Sequence, residues 1–272
     1  MRNTLLAALR GILLCVAIEA QSADTNLQAQ AQAAFESVEK KFENVRTLEY
    51  RAERVSMARR QTVTEKWGLR LRQPDCFALD YQKPEERVIV ANQASLWEYI
   101  PTARKVQHTD LTAMSSEEKS KLMVTILARV SVDGVRLGTY QPMLQRVTHV
   151  AQDAKDAAMV TIESGKPGFT VAVDTRRGVL LSTEIYGEKD APPLQTRASN
   201  FLEISPGFWY PQAVEVRYHA DGGLVVGRTT LSDIAINKPM ADDVFQFVPP
   251  KFATVIESRA QTTTPQQEKE KD

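Results

Sequence analysis

The chain has 272 residues, of which 43% are hydrophobic and 25% charged, with 34 basic residues set against 34 acidic ones. Balanced charge excludes the basic footprint of a nucleic-acid-binding domain. No internal stretch reaches the roughly 18 apolar residues that a membrane-crossing helix needs, and the length suits one large β domain or two small ones.

Residues 1–23 read as an export signal. Arg2 gives a positive start, residues 5–20 are mostly apolar with Arg10 interrupting, and Ala20, Ser22 and Ala23 supply small residues for cleavage. The expected location is therefore the periplasm. Leu14 stands before Cys15, where a lipoprotein leader needs a small residue, so lipidation is not expected. Cleavage removes two arginines, one glutamate and Cys15, leaving a net charge near −1 and Cys76 without a partner. Cys76 is read as structural rather than catalytic.

Residues 24–45 pattern as an amphipathic helix. Leu27, Ala31, Ala34, Phe35, Val38, Phe42 and Val45 recur at three- and four-residue spacing. Asp24 or Thr25 can cap it by accepting from the first free amides. Strands are expected at about 46–58 and 60–72, and residues 66–101 carry the clearest period-two alternation in the chain. There, Trp67, Leu69 and Leu71 share one face against Lys66, Arg70 and Arg72, and Phe77, Leu79 and Tyr81 alternate with Cys76, Asp80 and Gln82. The run 87–91 is apolar at nearly every position, and Trp97 and Tyr99 alternate with Leu96 and Glu98. Proline and Asn/Gln turns between these runs predict an antiparallel meander with one wet and one dry face.

A short strand near 104–108 follows, and then a helix begins at Ser115. Ser115 and Glu118 fit a capping box, and Leu122, Met123, Ile126, Leu127 and Val130 make one apolar stripe. Gly134, Gly138 and Pro142 interrupt regularity, so a helical insertion of roughly 110–146 separates two strand runs. In the second run, strands are expected at 169–174, 179–186, 195–204, 209–219 and 224–236. Asp221, Gly222 and Gly223 mark the last hairpin, because they tolerate positive φ. Residues 257–272 have almost no apolar side chains and read as a disordered polar tail.

The fold class expected is mainly β: about a dozen antiparallel strands in one strongly curved, half-open barrel, covered by the N-terminal helix and the mid-chain helix. Residues 24–256 form a single domain on this reading. No G-x-S-x-G, HExxH, P-loop or GxGxxG occurs, and His108, His149 and His219 are each isolated in sequence. Acidic pairs such as Glu85-Glu86 and Asp242-Asp243 fall in turns. No enzyme, cofactor or metal site is therefore expected. What remains is the dry face, which either packs a closed core or lines a cavity.

Several elements in 72–101 resemble the periplasmic lipoprotein carriers of the LolA/LolB type. They are Arg72-Gln73-Pro74, the aromatic-alternating strand 77–81, Pro84, the β run 88–90, and Leu96-Trp97-Glu98-Tyr99-Ile100-Pro101. The resemblance covers about forty residues and implies an open barrel with a helical lid that sequesters acyl chains. It implies a lining of Trp67, Leu69, Leu71, Phe77, Leu79, Tyr81, Trp97 and Tyr99, and a lid face of Leu122, Met123, Ile126, Leu127 and Val130. It also implies acylated lipoprotein or lipid cargo, a transient inner-membrane donor and outer-membrane acceptor, and a monomer. In such carriers an arginine directly before the proline latches the lid. Here Gln73 holds that place, and a neutral donor makes a weaker latch. A sensor of lipid or lipoprotein with the same architecture is the alternative from another class.

Overall fold

The computed structural model describes residues 26–59, 61–127, 144–165, 167–187, 191–220 and 223–258. The expected leader, the caps Asp24 and Thr25, Val130, the rest of the insertion to residue 143, the Asp221-Gly222 turn and residues 259–272 lie outside them. The described chain is mainly β, as the alternation requires. Its fourteen strands form one hydrogen-bonded sheet in the order β14-β6-β5-β4-β3-β2-β1-β13-β12-β11-β10-β9-β8-β7. Nearly all sequential strands are neighbours, and the described pairings are antiparallel except for β14 on β6.

Chain contacts divide into two units, with β1 (Thr47–Ala58), β2 (Gln61–Arg72) and β13 (Gly223–Ile236) each running through both. In the first unit, helix α1 (residues 26–40) packs its stripe of Ala31, Ala34, Phe35 and Val38 onto the sheet. The receiving side chains come from β8 (Met159–Ser164), β9 (Gly168–Asp174) and β10 (Val179–Tyr186), and include Ile162, Val171 and Val173, each at most 2% exposed. The three- and four-residue spacing read in the sequence is thus the buried face. The β9–β10 turn is fitted to that helix. Gly178 has φ +59°, and a Cβ there would stand 2.4 Å from the Ser37 carbonyl oxygen. Asp174, only 2% exposed, accepts from the Arg176 and Arg177 backbone N–H groups and from Arg177 Nε at 2.5 Å, which closes the same turn. β7 (Val147–Gln152) and β8 were not legible as strands in the sequence. β11 (Leu194–Ser205) and β12 (Phe208–Ala220) lie within a residue or two of expectation.

The second unit holds the meander β3 (Cys76–Lys83), β4 (Arg87–Ala91), β5 (Ser95–Ile100) and β6 (Lys105–Asp110), together with helix α2 (Ser116–Leu127). The capping box is present. The Ser115 N–H donates to Glu118 Oε2 at 2.8 Å, and the Glu118 N–H donates to Ser115 Oγ at 3.2 Å. After β13 the chain crosses one face of the meander. A 3-10 turn, Asp242–Phe245, seats Phe245 on Ala78 and Val90, with Met240, Val244 and Phe247 beside it. Arg72 fixes this segment by donating to Asp242 Oδ1 at 2.6 Å while its guanidinium lies 4.6 Å from the Phe245 ring centroid. The chain then adds β14 (Thr254–Ser258) in parallel to β6. Glu257 and Ser258, read in the sequence as the start of a tail, are its last two residues.

Candidate functional site

Register decides which residues share a face. Directly paired residues in a sheet project to the same side. Leu79 pairs with Ile89, Ile89 with Glu98, and Glu98 with Gln107. One row over, Phe77 pairs with Ala91, Ala91 with Leu96, and Leu96 with Thr109. On the other side, Trp67, Leu69 and Leu71 pair with Tyr81, Leu79 and Phe77, which places all six on this face, as the alternation predicts.

A cavity of about 820 Å³ opens on that face within the second unit. This lies in the usual range of small-molecule sites. Its apolar wall is Leu79, Ile89 and Leu96 from the sheet, with Met114 from the turn before α2 and Leu122 and Ile126 from α2 itself. Leu122 and Ile126 are one helical turn apart and half-buried, so each retains surface that an occupant can cover. The other end is polar, with Tyr81, Arg87, Glu98, Gln107 and Thr109 on the sheet and Glu257 on β14. Arg87 Nη2 donates to Glu98 Oε1 at 2.5 Å, an ion pair set into the wall.

The predicted residues divide into three groups. Leu79, Tyr81, Leu122 and Ile126 border the cavity. Trp67, Leu69 and Phe77 share the face without bordering the cavity and, with half-buried Leu71, make up its packed part, while Leu79, itself only 1% exposed, stands at the boundary between the two. Met123 and Leu127 form the adjacent stripe of α2 rather than the cavity wall, Met123 half-buried and Leu127 buried.

Trp97 and Tyr99 require a correction. They pair with Val90 and Val88, on the opposite face, and both rings lie 5.8 Å from Phe247. The alternation within β5 was read correctly, but its parity relative to β3 was not. β4 is apolar on both sides, so it carries no parity across the hairpins. The residues of β5 that meet the cavity are Leu96 and Glu98.

Gln73 donates its backbone N–H to the Arg46 carbonyl at 2.8 Å, and its side chain makes no hydrogen bond to the described residues of α2. Arg72 is outward relative to the cavity, as expected, and is tied to Asp242. The bond to Asp242 raises its guanidinium pKa above the ordinary value. His108 is isolated only in sequence. Its ring stacks on Trp97 at 3.8 Å, Nε2 lies 3.1 Å from Ser95 Oγ, and Nδ1 lies 2.7 Å from Glu257 Oε2. These contacts tie β14 to β6 and β5.

Sequence reading missed Ile89, Leu96, Arg87 and Glu98. One signal could have found Ile89. A strand apolar on consecutive positions has both faces covered, and on β4 the covers are the C-terminal segment over Val88 and Val90 and the cavity beside Ile89.

No protein-family model matches the chain, and no curated protein matches it. Solved structures do. A LolA superfamily protein from Nitrosomonas europaea aligns with TM-score 0.52 at 12% identity, covering 80% of this chain and 97% of that one. A DUF1329 family protein from Desulfovibrio piger aligns with TM-score 0.51 at 11% identity, over 79% and 96%. A candidate outer membrane lipoprotein-sorting domain from Vibrio parahaemolyticus gives TM-score 0.49 at 14% identity, over 78% and 95%. The chain therefore has the LolA-like fold that its central stretch resembles.

Proposed function

We propose that this protein is a periplasmic, non-enzymatic carrier that holds acyl chains of lipoproteins or related lipids beneath α2. It would receive them from an inner-membrane donor and pass them to an outer-membrane acceptor. One observation carries the reading. The apolar face of β3–β5 does not close against α2 but leaves a cavity between Leu79, Ile89 and Leu96 on one side and Leu122 and Ile126 on the other. Each methylene buried there contributes about 0.8 kcal/mol, so alkyl chains bind without polar contacts. Leu122, Met123 and Ile126 are half-buried beside buried Leu127, and a helix held in part by such side chains parts from a sheet more readily than a fully packed one. The LolA-like fold supports the same reading, with Gln73 as the candidate for a weak latch.

The test uses delipidated protein and the neutral fluorescent probe N-phenyl-1-naphthylamine. Probe fluorescence should rise on binding and fall when an acylated peptide is added, while the same peptide without its acyl chain should leave it unchanged. Equal displacement by both peptides, or no probe uptake, overturns the proposal.

A further inference from the structure

An ion pair is a costly feature on the wall of a cavity meant only for alkyl chains. Taking two charges out of water carries a desolvation cost that their attraction only partly repays. Arg87 and Glu98, at 32% and 27% side-chain exposure, bear part of that cost beside Ile89. Arg87 pairs with Tyr81 across β3–β4 and Glu98 with Ile89 across β4–β5, so the pair adjoins the apolar row. Glu257 borders the cavity from β14, but its carboxylate bonds His108 at 2.7 Å on the Trp97 face and so does not compete for Arg87. The polar end thus presents one cation and one anion in contact, within reach of whatever the acyl chain is attached to.

Three kinds of head fare differently there. A free fatty acid brings a second carboxylate to the one cation, so it and Glu98 either crowd each other on Arg87 or one is left unpaired against Ile89. An uncharged acylglycerol leaves the pair closed and gains little from it. A zwitterionic head exchanges partners, its phosphate taking the Arg87 guanidinium and its ammonium taking Glu98, so that no charge is stranded. Guanidinium suits phosphate in particular, because its planar fork matches two oxygens at once.

Building on the acyl-cavity reading above, we propose that Arg87 and Glu98 form a headgroup subsite that selects acyl chains bearing a zwitterionic phosphodiester head. Phosphoethanolamine lipid is the simplest such ligand. The full chain, delipidated and loaded with N-phenyl-1-naphthylamine, is titrated with lauroyl-lysophosphatidylethanolamine, laurate and monolaurin, which share one acyl chain. The phosphoethanolamine lipid should displace the probe at about tenfold lower concentration than laurate, the worth of one charge-assisted exchange. In the double variant Arg87→Met, Glu98→Met that ratio should collapse to about twofold or less. Glu98→Gln, which frees Arg87 from its partner and changes shape least, should reverse the preference towards laurate. Displacement without discrimination in the wild type, or a ratio unchanged in the double variant, overturns this subsite alone. Failure of all three ligands to displace the probe overturns the cavity reading and the subsite with it.

Discussion

The most informative perturbation is the double substitution Leu122→Ala, Ile126→Ala on the cavity side of α2. Each replacement removes the equivalent of three methylenes, about 2.4 kcal/mol if wholly transferred. Both side chains are half-buried in the free protein, so roughly one methylene's worth each, about 0.8 kcal/mol, remains for an acyl chain to cover. Losing it from both predicts binding weaker by ~15-fold, since 1.4 kcal/mol is tenfold. The remainder is a folding term of roughly 3 kcal/mol, tolerable against a total of about 5–15. The two positions are one turn apart, so partial non-additivity pulls the binding loss towards ~5-fold rather than abolishing it. Probe displacement by an acylated peptide measures the first quantity, and the midpoint of denaturant unfolding measures the second. A folded variant whose affinity stays within twofold of wild type would refute the claim that acyl chains lie beneath this helix.

Other perturbations separate fold from site. Phe245→Ala empties the pocket made by Ala78 and Val90 on the opposite face and should cost about 3–5 kcal/mol in unfolding experiments, with acyl affinity of the folded fraction retained. Asp174→Ala strands two backbone donors and Arg177 in the β9–β10 turn, and should lower stability by about 2–3 kcal/mol on the same assay. The Ser115 N–H and hydroxyl both donate to Glu118, which holds its carboxyl below the usual range. That stabilisation is present above the unfolded carboxylate pKa of about 4.3 and is lost as pH falls through the folded value. Helix content followed by circular dichroism should therefore drop on acidification over that window, and Glu118→Gln should flatten the dependence.

Much of this fold is legible in the sequence because alternation and helical spacing report burial directly. The 31/34/35/38 stripe is the face α1 buries, the Ser115/Glu118 box starts α2 within one residue, and Trp67, Leu69, Leu71, Phe77, Leu79 and Tyr81 share one face as read. What fails is the transfer of parity from strand to strand. Val88, Ile89 and Val90 are all apolar, so nothing local tells which of them continues the row of Leu79. The error carried Trp97 and Tyr99 into the predicted lining and left Leu96 and Glu98 out. Long-range partners were the other gap. Residues 240–256 show no alternation that assigns them an element, and 257–258 read as the start of the tail, until Phe245, Asp242 and Glu257 find Ala78, Arg72 and His108 far away in sequence. Arg87 and Glu98 look like ordinary strand-surface charges until the register brings them together.

Photolabelling with an acyl chain that carries a diazirine near its end tests the central claim most directly, because it maps contact residue by residue. The account predicts adducts on α2 at Leu122 or Ile126 and on the sheet at Ile89 or Leu96, all competed away by unlabelled acylated peptide. Adducts confined to Trp97, Phe247 or the exposed Val248 and Phe252, or none that unlabelled ligand can compete, would contradict it.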